Sequence, residues 1–150
     1  VRIEIRAAVP ADIDWLVAEL RIFSSFHQSK LSAFPADEEH ARKTLLDMLT
    51  NHLFLLAVQG EERVGFLAAY RFPHLFNPAI RVLSESFWWV AEKFRGNRAG
   101  LMLLEAFVEH GKQAADWLFV TLESNSPINP DALTRRGFRL HERYFLMETA

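Results

Sequence analysis

One run constrains the chain more than any other: Phe87-Trp88-Trp89-Val90-Ala91-Glu92-Lys93-Phe94-Arg95-Gly96-Asn97-Arg98-Ala99-Gly100-Leu101-Met102-Leu103-Leu104. Phe87 to Val90 is bulky, apolar and β-prone, the pattern of a buried strand. Glu92 to Gly100 is short, charged and glycine-bearing, a tight loop. From Leu101 to Ala115 apolar residues recur at helical spacing. Leu101, Leu104, Val108 and Ala115 share one stripe, widened by Met102, Leu103 and Phe107. Strand, basic loop and helix start in that order make an anion site. The first N–H groups of a helix lack intrahelical acceptors, and its macrodipole favours negative charge there. Gly96 and Gly100 permit close approach and unusual dihedrals, while Arg95 and Arg98 supply charged donors suited to phosphate.

Two phosphate motifs are absent, the dinucleotide Gly-x-Gly-x-x-Gly and the P-loop Gly-x-x-x-x-Gly-Lys-Ser/Thr. What remains resembles the acetyl-CoA pyrophosphate loop of the GNAT superfamily of N-acetyltransferases. That pattern is Arg/Gln-x-x-Gly-x-Gly/Ala, after a strand ending in Val and before a Leu-rich helix. Its six positions here are Arg95, Gly96, Asn97, Arg98, Ala99 and Gly100, with Arg98 where the family usually has Gly. The Phe-Trp-Trp-Val strand, Arg-Gly-x-Arg-Ala-Gly-Leu and the following Leu-Leu are similar to a subgroup common in bacteria and their phages. The resemblance implies acetyl-CoA as co-substrate and an amine as acceptor. It implies CoA contacts at Trp88, Trp89, Val90, Arg95, Gly96, Asn97, Arg98, Ala99, Gly100, Asn125 and Asn129.

Composition narrows the remaining classes. At 150 residues, with 50% hydrophobic and 24% charged residues, the chain suits one globular domain over 1–150. A net charge of −2 and a pI near 6.3 argue against a general nucleic-acid binder. Without cysteine there is no disulfide, thiol catalysis or Cys-ligated zinc, and a reducing compartment is permitted. No apolar run approaches the roughly 20 residues that span a bilayer. The first residues lack a signal-peptide pattern, and the first is Val1 rather than Met. The expected setting is the cytoplasm, away from membranes.

In chain order, Arg2 to Arg6 alternates as a first strand. Pro10 and Asp12 suit the start of a helix whose stripe is Ile13, Leu16, Val17, Leu20 and Phe23. Ser24 to Pro35, with Phe26, His27, Lys30 and Phe34, reads as a loop or broken helix. A second helix follows over about Asp37 to Leu49, burying Ala41, Leu45, Met48 and Leu49. The resemblance places the acceptor-pocket wall in this first-to-second helix region. His52 to Gln59 and Arg63 to Phe72 form a hairpin about Gly60-Glu61-Glu62. Val82 to Val90 is the fourth strand and Trp117 to Leu122 the fifth. A loop over Ser124 to Pro130 and a short helix over Asp131 to Arg136 follow. A final strand pair then opens at Gly137-Phe138 and runs through Arg139-Leu140 and Tyr144 to Glu148. Val64-Gly65-Phe66 and Arg-Arg-Gly-Phe-Arg are similar to further GNAT signatures, so the resemblance spans nearly the whole chain. It implies an α/β (α+β) fold: a mixed, mostly antiparallel sheet with helices on both faces. The strand ending in Val90 is expected at its centre, with the fourth and fifth strands parallel and splayed at one end for the pantetheine arm of CoA.

Acetyl transfer to an amine requires a deprotonated nucleophile, juxtaposed reactants, a polarised carbonyl and a departing thiolate. The resemblance implies direct attack in a ternary complex. Glu85, read as sharing a face with Phe87 and Trp89, is the first candidate for the base. A bulge in that strand would instead turn Ser84 and Ser86 toward substrate. Glu123 is the second candidate. The family's usual acid, a Tyr four residues before the Gly of Gly-Phe, is Leu133 here. Of the two tyrosines, Tyr70 and Tyr144, both suited to packing, Tyr144 is carried as a catalytic candidate. His40, His52, His74, His110 and His141 lack metal-ligand spacing, and no metal is expected. Two other readings stand beside the enzyme: a non-catalytic acyl-CoA-binding module of the same fold, and an interaction protein whose exposed aromatics form a homodimer.

Overall fold

The computed structural model describes residues 1–26, 34 and 37–149. Five strands lie in the order β1 (Ile3–Ala7), β2 (Leu53–Gln59), β3 (Glu62–Pro73), β4 (Arg81–Val90) and β5 (Trp117–Phe119). The pairs β1–β2, β2–β3 and β3–β4 are antiparallel, and β4–β5 is parallel. The helices are α1 (Ile13–Phe26), α2 (Glu38–Asn51), α3 (Ala99–Ala114) and the short α4 (Asp131–Thr134). The mixed, mostly antiparallel sheet with helices on both faces is therefore as expected. β3 rather than β4 is its middle strand, because no strand beyond β5 joins the sheet among the described residues.

Each face of the sheet buries one helical stripe. Leu16, Val17, Leu20 and Phe23 of α1, with Leu45 and Met48 of α2, pack on Phe54, Leu56, Phe66, Phe87 and Trp89. Leu103, Leu104 and Phe107 of α3 pack on Leu55, Leu67, Ala69 and Leu83. α3 is the crossover that a parallel β4–β5 pair requires. It lies close to β5 at Gly111, where a Cβ would overlap the Leu118 side chain.

Several boundaries differ from expectation. α1 runs on through Ser24 and Ser25, whose hydroxyls bond back to the Arg21 and Ile22 carbonyls at 2.8 and 2.7 Å. His27 and Lys30 lie outside the described residues. β5 stops at Phe119, short of Leu122. The final strand pair is not formed. Gly137, at φ +94°, instead closes the turn behind α4, with Phe138 N–H donating to Leu133 O at 3.1 Å. Beyond it, His141, Glu142 and Arg143 include no Gly, Pro, Asn or Asp to reverse the chain.

One buried carboxylate with two half-exposed arginines ties the first strand to the sheet's centre. Asp12, fully buried, accepts from Arg6 Nη1 and Nη2 at 2.8 and 2.9 Å, from Arg63 Nε at 2.8 Å and from the Val9 N–H at 2.8 Å. Hydrogen bonds from Arg6 above all, then from Val9 and Arg63, hold its carboxyl well below the usual carboxylate range against the opposing cost of burial. A depressed carboxylate stabilises the fold above its unfolded pKa of about 3.9 and ceases to do so as pH falls toward the folded value. Asp12→Asn should therefore cost about 2–4 kcal/mol at pH 7. Urea-unfolding midpoints of wild type and variant should converge below about pH 4; a gap that stays constant from pH 7 to acid would contradict this role.

Candidate active site

β4 and β5 pair over only three positions, Val82↔Trp117, Leu83↔Leu118 and Ser84↔Phe119. β4 then continues to Val90 along β3 while β5 ends, so the parallel strands part as expected. In the same stretch β4 bulges: Ala69 pairs Glu85 and Ala68 pairs Phe87, leaving Ser86 as the extra residue. The bulge reverses the face. Leu83 and the Glu85 partner Ala69 belong to the α3 side, whereas Phe87 and Trp89 belong to the α1–α2 side. Glu85 therefore does not share a face with Phe87 and Trp89. It is 5% exposed, and its Oε1 accepts the Thr121 N–H at 3.2 Å across the parting strands. Ser84, opposite Tyr70, is turned toward the α1–α2 side.

The loop after β4 begins with a 3-10 turn over Glu92–Phe94. Gly96 has φ +88° with nothing within 4 Å of an added Cβ, so backbone conformation, not space, demands glycine there. Asn97 Oδ1 accepts the Ala99 N–H at 2.9 Å in an Asx turn, and α3 starts at Ala99, two residues before the expected Leu101. The helix ladder opens with Met102 N–H to Arg98 O at 2.9 Å. The N–H groups of Gly100 and Leu101 thus stand at the helix start without an intrahelical acceptor. Arg98, at φ −87° and ψ 0°, holds ordinary backbone, and its side chain is exposed. Gly100 has no positive φ, and a Cβ there would make ordinary contact with Val90 Cγ2 at 3.5 Å. Trp88 and Val90 pack on the α3 side beside it.

Trp89 and Arg95, both expected at the CoA site, contact each other. The Trp89 indole is 4% exposed and lies in the α1–α2 core, donating from Nε1 to Glu19 Oε1 at 2.9 Å, with the Phe23 ring 4.6 Å away. The Arg95 guanidinium stacks over the same indole at 4.4 Å, and its Nε donates to Val90 O at 3.3 Å. Sequence reasoning missed Glu19. The available signal was a carboxylate at 19, three after Leu16 and four before Phe23, inside the apolar stripe of α1.

The remaining candidates are dispersed. Asn129 Oδ1 accepts the Asp131 N–H at 3.0 Å and so shapes the start of α4. Asn125 is exposed, Glu123 half-buried, and Tyr144 79% exposed. Tyr70 packs at 4.7 Å from the His52 ring, its hydroxyl pKa raised by burial and then by Asp47. His110 bonds Arg71 Nη2 at 2.9 Å; burial, then the Arg71 charge, lowers its pKa. Among the described residues no three acidic, His or Cys side chains gather as metal ligands, and no helix is long and apolar enough to cross a membrane. A cleft lined by Arg71, Phe72, Arg81 and Ala115 opens at the paired end of β4, away from the parting strands.

Comparison with known proteins agrees with this architecture. The chain is similar in fold to a transcriptional regulator from Bacillus halodurans C-125, with 18% identity, 99% of this chain and 100% of that chain covered, and a TM-score of 0.79. It is also similar to a predicted acetyltransferase with acetyl-CoA from Clostridium acetobutylicum, at 13% identity, 98% and 96% coverage and a TM-score of 0.73. A third likeness is to an aminoglycoside acetyltransferase from an uncultured soil metagenomic sample in complex with sisomicin, at 16% identity, 99% and 95% coverage and a TM-score of 0.71. No curated protein sequence matched. The family model of the acetyltransferase (GNAT) family matches residues 21–138, well over half of the chain. This chain belongs to the GNAT acetyltransferase family.

Proposed function

We propose that residues 1–150 form a single acetyltransferase domain that moves the acetyl group of acetyl-CoA to a primary amine by direct attack in a ternary complex. The observation carrying this reading is the parting of β4 from β5 beside a basic, glycine-bearing helix start. The gap suits a narrow pantetheine arm, and the Gly100 and Leu101 N–H groups suit a pyrophosphate. Ala99 N–H is already engaged by Asn97, so it is a weaker donor than the sequence suggests. Family membership and the acetyl-CoA bound to the Clostridium acetobutylicum protein support the co-substrate. The sisomicin complex supports an amine-bearing acceptor, either a small molecule or a protein. The absence of cysteine suits a cytoplasmic setting.

In this mechanism the amine nitrogen attacks the thioester carbon, the N–C bond forms, and the C–S bond breaks. Glu85 accepts the amine proton, directly or through one water, with the Thr121 N–H fixing its carboxylate. The bulge at Ser86 leaves backbone polar groups outside the β3–β4 ladder, where they can polarise the carbonyl. The leaving thiolate takes its proton from Tyr144 or from solvent, since Leu133 fills the family's usual tyrosine position. That same Leu133 favours the second reading, a chain that binds acyl-CoA without catalysis.

Acetyl-CoA and CoA should each raise the melting temperature, and ATP should not; no shift with either CoA form would remove both readings. Thiol release over an amine panel then separates enzyme from binder. Glu85→Gln should lower turnover roughly 100-fold with little change in acetyl-CoA affinity and should abolish the acid limb of the rate–pH profile. Unchanged turnover would move the role to Glu123 or a serine-held water. Arg98, exposed on ordinary backbone, is proposed to reach the CoA 3′-phosphate. Arg98→Ala should weaken CoA binding about tenfold at low salt, less at high salt, and should barely affect 3′-dephospho-CoA. Equal CoA affinity of the two proteins at low salt would remove that contact.

A further inference from the structure

At the end of β4 opposite Val90, one positive charge has no negative partner among the described residues. The last residues of β3, the first of β4 and the end of α3 frame an open cleft of about 400 Å3. Small-molecule sites run from about 300 to 1,000 Å3. Pro73, Leu83, Ala114 and Ala115 make its walls apolar, and Arg71 and Arg81 bring the charge.

The two arginines differ. Arg81 holds Asp116 through its backbone N–H at 2.8 Å, Nε at 3.2 Å and Nη2 at 3.3 Å, so its charge is already balanced. Arg71 Nη2 donates to His110 Nε2 at 2.9 Å. A guanidinium only donates, so that ring nitrogen accepts and the imidazole is neutral. Among the described residues no carboxylate pairs with Arg71, and His110 takes only one of its N–H donors. The cleft therefore carries one net positive charge against apolar walls.

Its place in the sheet is distinct from the parting strands. Arg71 pairs Leu83 across β3 and β4, and Leu83 pairs Leu118 across β4 and β5. The cleft thus lies beside the few positions that join β5 to the sheet. α3 has 16 residues, so at 1.5 Å each its end stands roughly 22 Å from its start. The pyrophosphate proposed at Gly100 and Leu101 lies at that other end.

We propose that this cleft is a second ligand site, which takes a monocarboxylate with a compact apolar body, an aryl or branched-alkyl acid. The carboxylate pairs with Arg71 through its remaining donors, and the body covers Leu83, Pro73 and the two alanines. One uncompensated cation matches one negative charge. A dianion would leave its second charge unpaired against apolar walls and near Asp116. An amine would face Arg71 with no carboxylate to receive it, because Asp116 is engaged by Arg81. The site does not depend on acetyl transfer and is tested without it.

Benzoate titrated into the full-length chain should move the Arg71 side-chain N–H, the His110 ring and the Leu83 and Ala114 methyl resonances along one saturable curve. Benzamide, its neutral isostere, should bind about tenfold or more weakly, and phenyl phosphate should bind less tightly than benzoate. Arg71→Gln should weaken benzoate binding about tenfold or more with an unchanged far-UV spectrum. Saturating acetyl-CoA should leave the benzoate curve in place. A benzoate response that stays linear overturns the proposal. So does benzamide or phenyl phosphate binding as tightly as benzoate, or displacement of benzoate by acetyl-CoA. If the Arg71 variant does not fold, the comparison of benzoate with benzamide on the wild-type chain decides.

Discussion

The molecule depends on a pairing that stops early. Three register positions join β4 to β5, and after Ser84 and Phe119 the strands separate while β4 keeps its other partner to Val90. Continuous pairing would close the sheet and leave no place between the strands for a ligand. Parting has a cost, because buried backbone groups left without a partner lose about 1–3 kcal/mol each. Glu85 offsets part of it by accepting the Thr121 N–H across the divide. The carboxylate proposed to take a proton from substrate thus also props the strands apart, and its position follows from the shape of the sheet.

Trp89 joins α1 to the loop that follows β4. Its indole sits among α1 side chains, bonds Glu19 and lies beneath the Arg95 guanidinium. Arg95 leads directly into Gly96 and the start of α3. α1 and the loop before α3 therefore lean on one aromatic ring. Two contacts, Glu19 to Trp89 and Trp89 to Arg95, join α1 to that loop.

Much of this was legible in the sequence because the signals were local. Leu103, Leu104 and Phe107 announce α3 by their spacing, and the glycine and arginines before it announce the loop. The face of Glu85 was not legible. Reading a face by alternation needs an uninterrupted strand, and Ser84-Glu85-Ser86 offers small or polar side chains at every step, so nothing in it marks the inserted residue. The contact of Arg95 with Trp89 was not legible either, because Trp89 comes from a strand whose facing depends on that same bulge. The last strand pair failed for want of a reversing residue between Leu140 and Tyr144, an omission visible in the sequence but outweighed there by β propensity.

The contact between Gly111 and Leu118 reaches beyond this molecule. A methyl at 111 would occupy the volume that the Leu118 side chain already fills. The two positions share one allotment of space between helix and strand, and a chain of this fold can place it on either side. Among related sequences, enlargement at the helical position should appear with reduction at the strand position. The overlapping atoms are the terminal methyls of Leu118, so enlargement at 111 requires that side chain to shift, and a smaller residue at 118 removes the requirement.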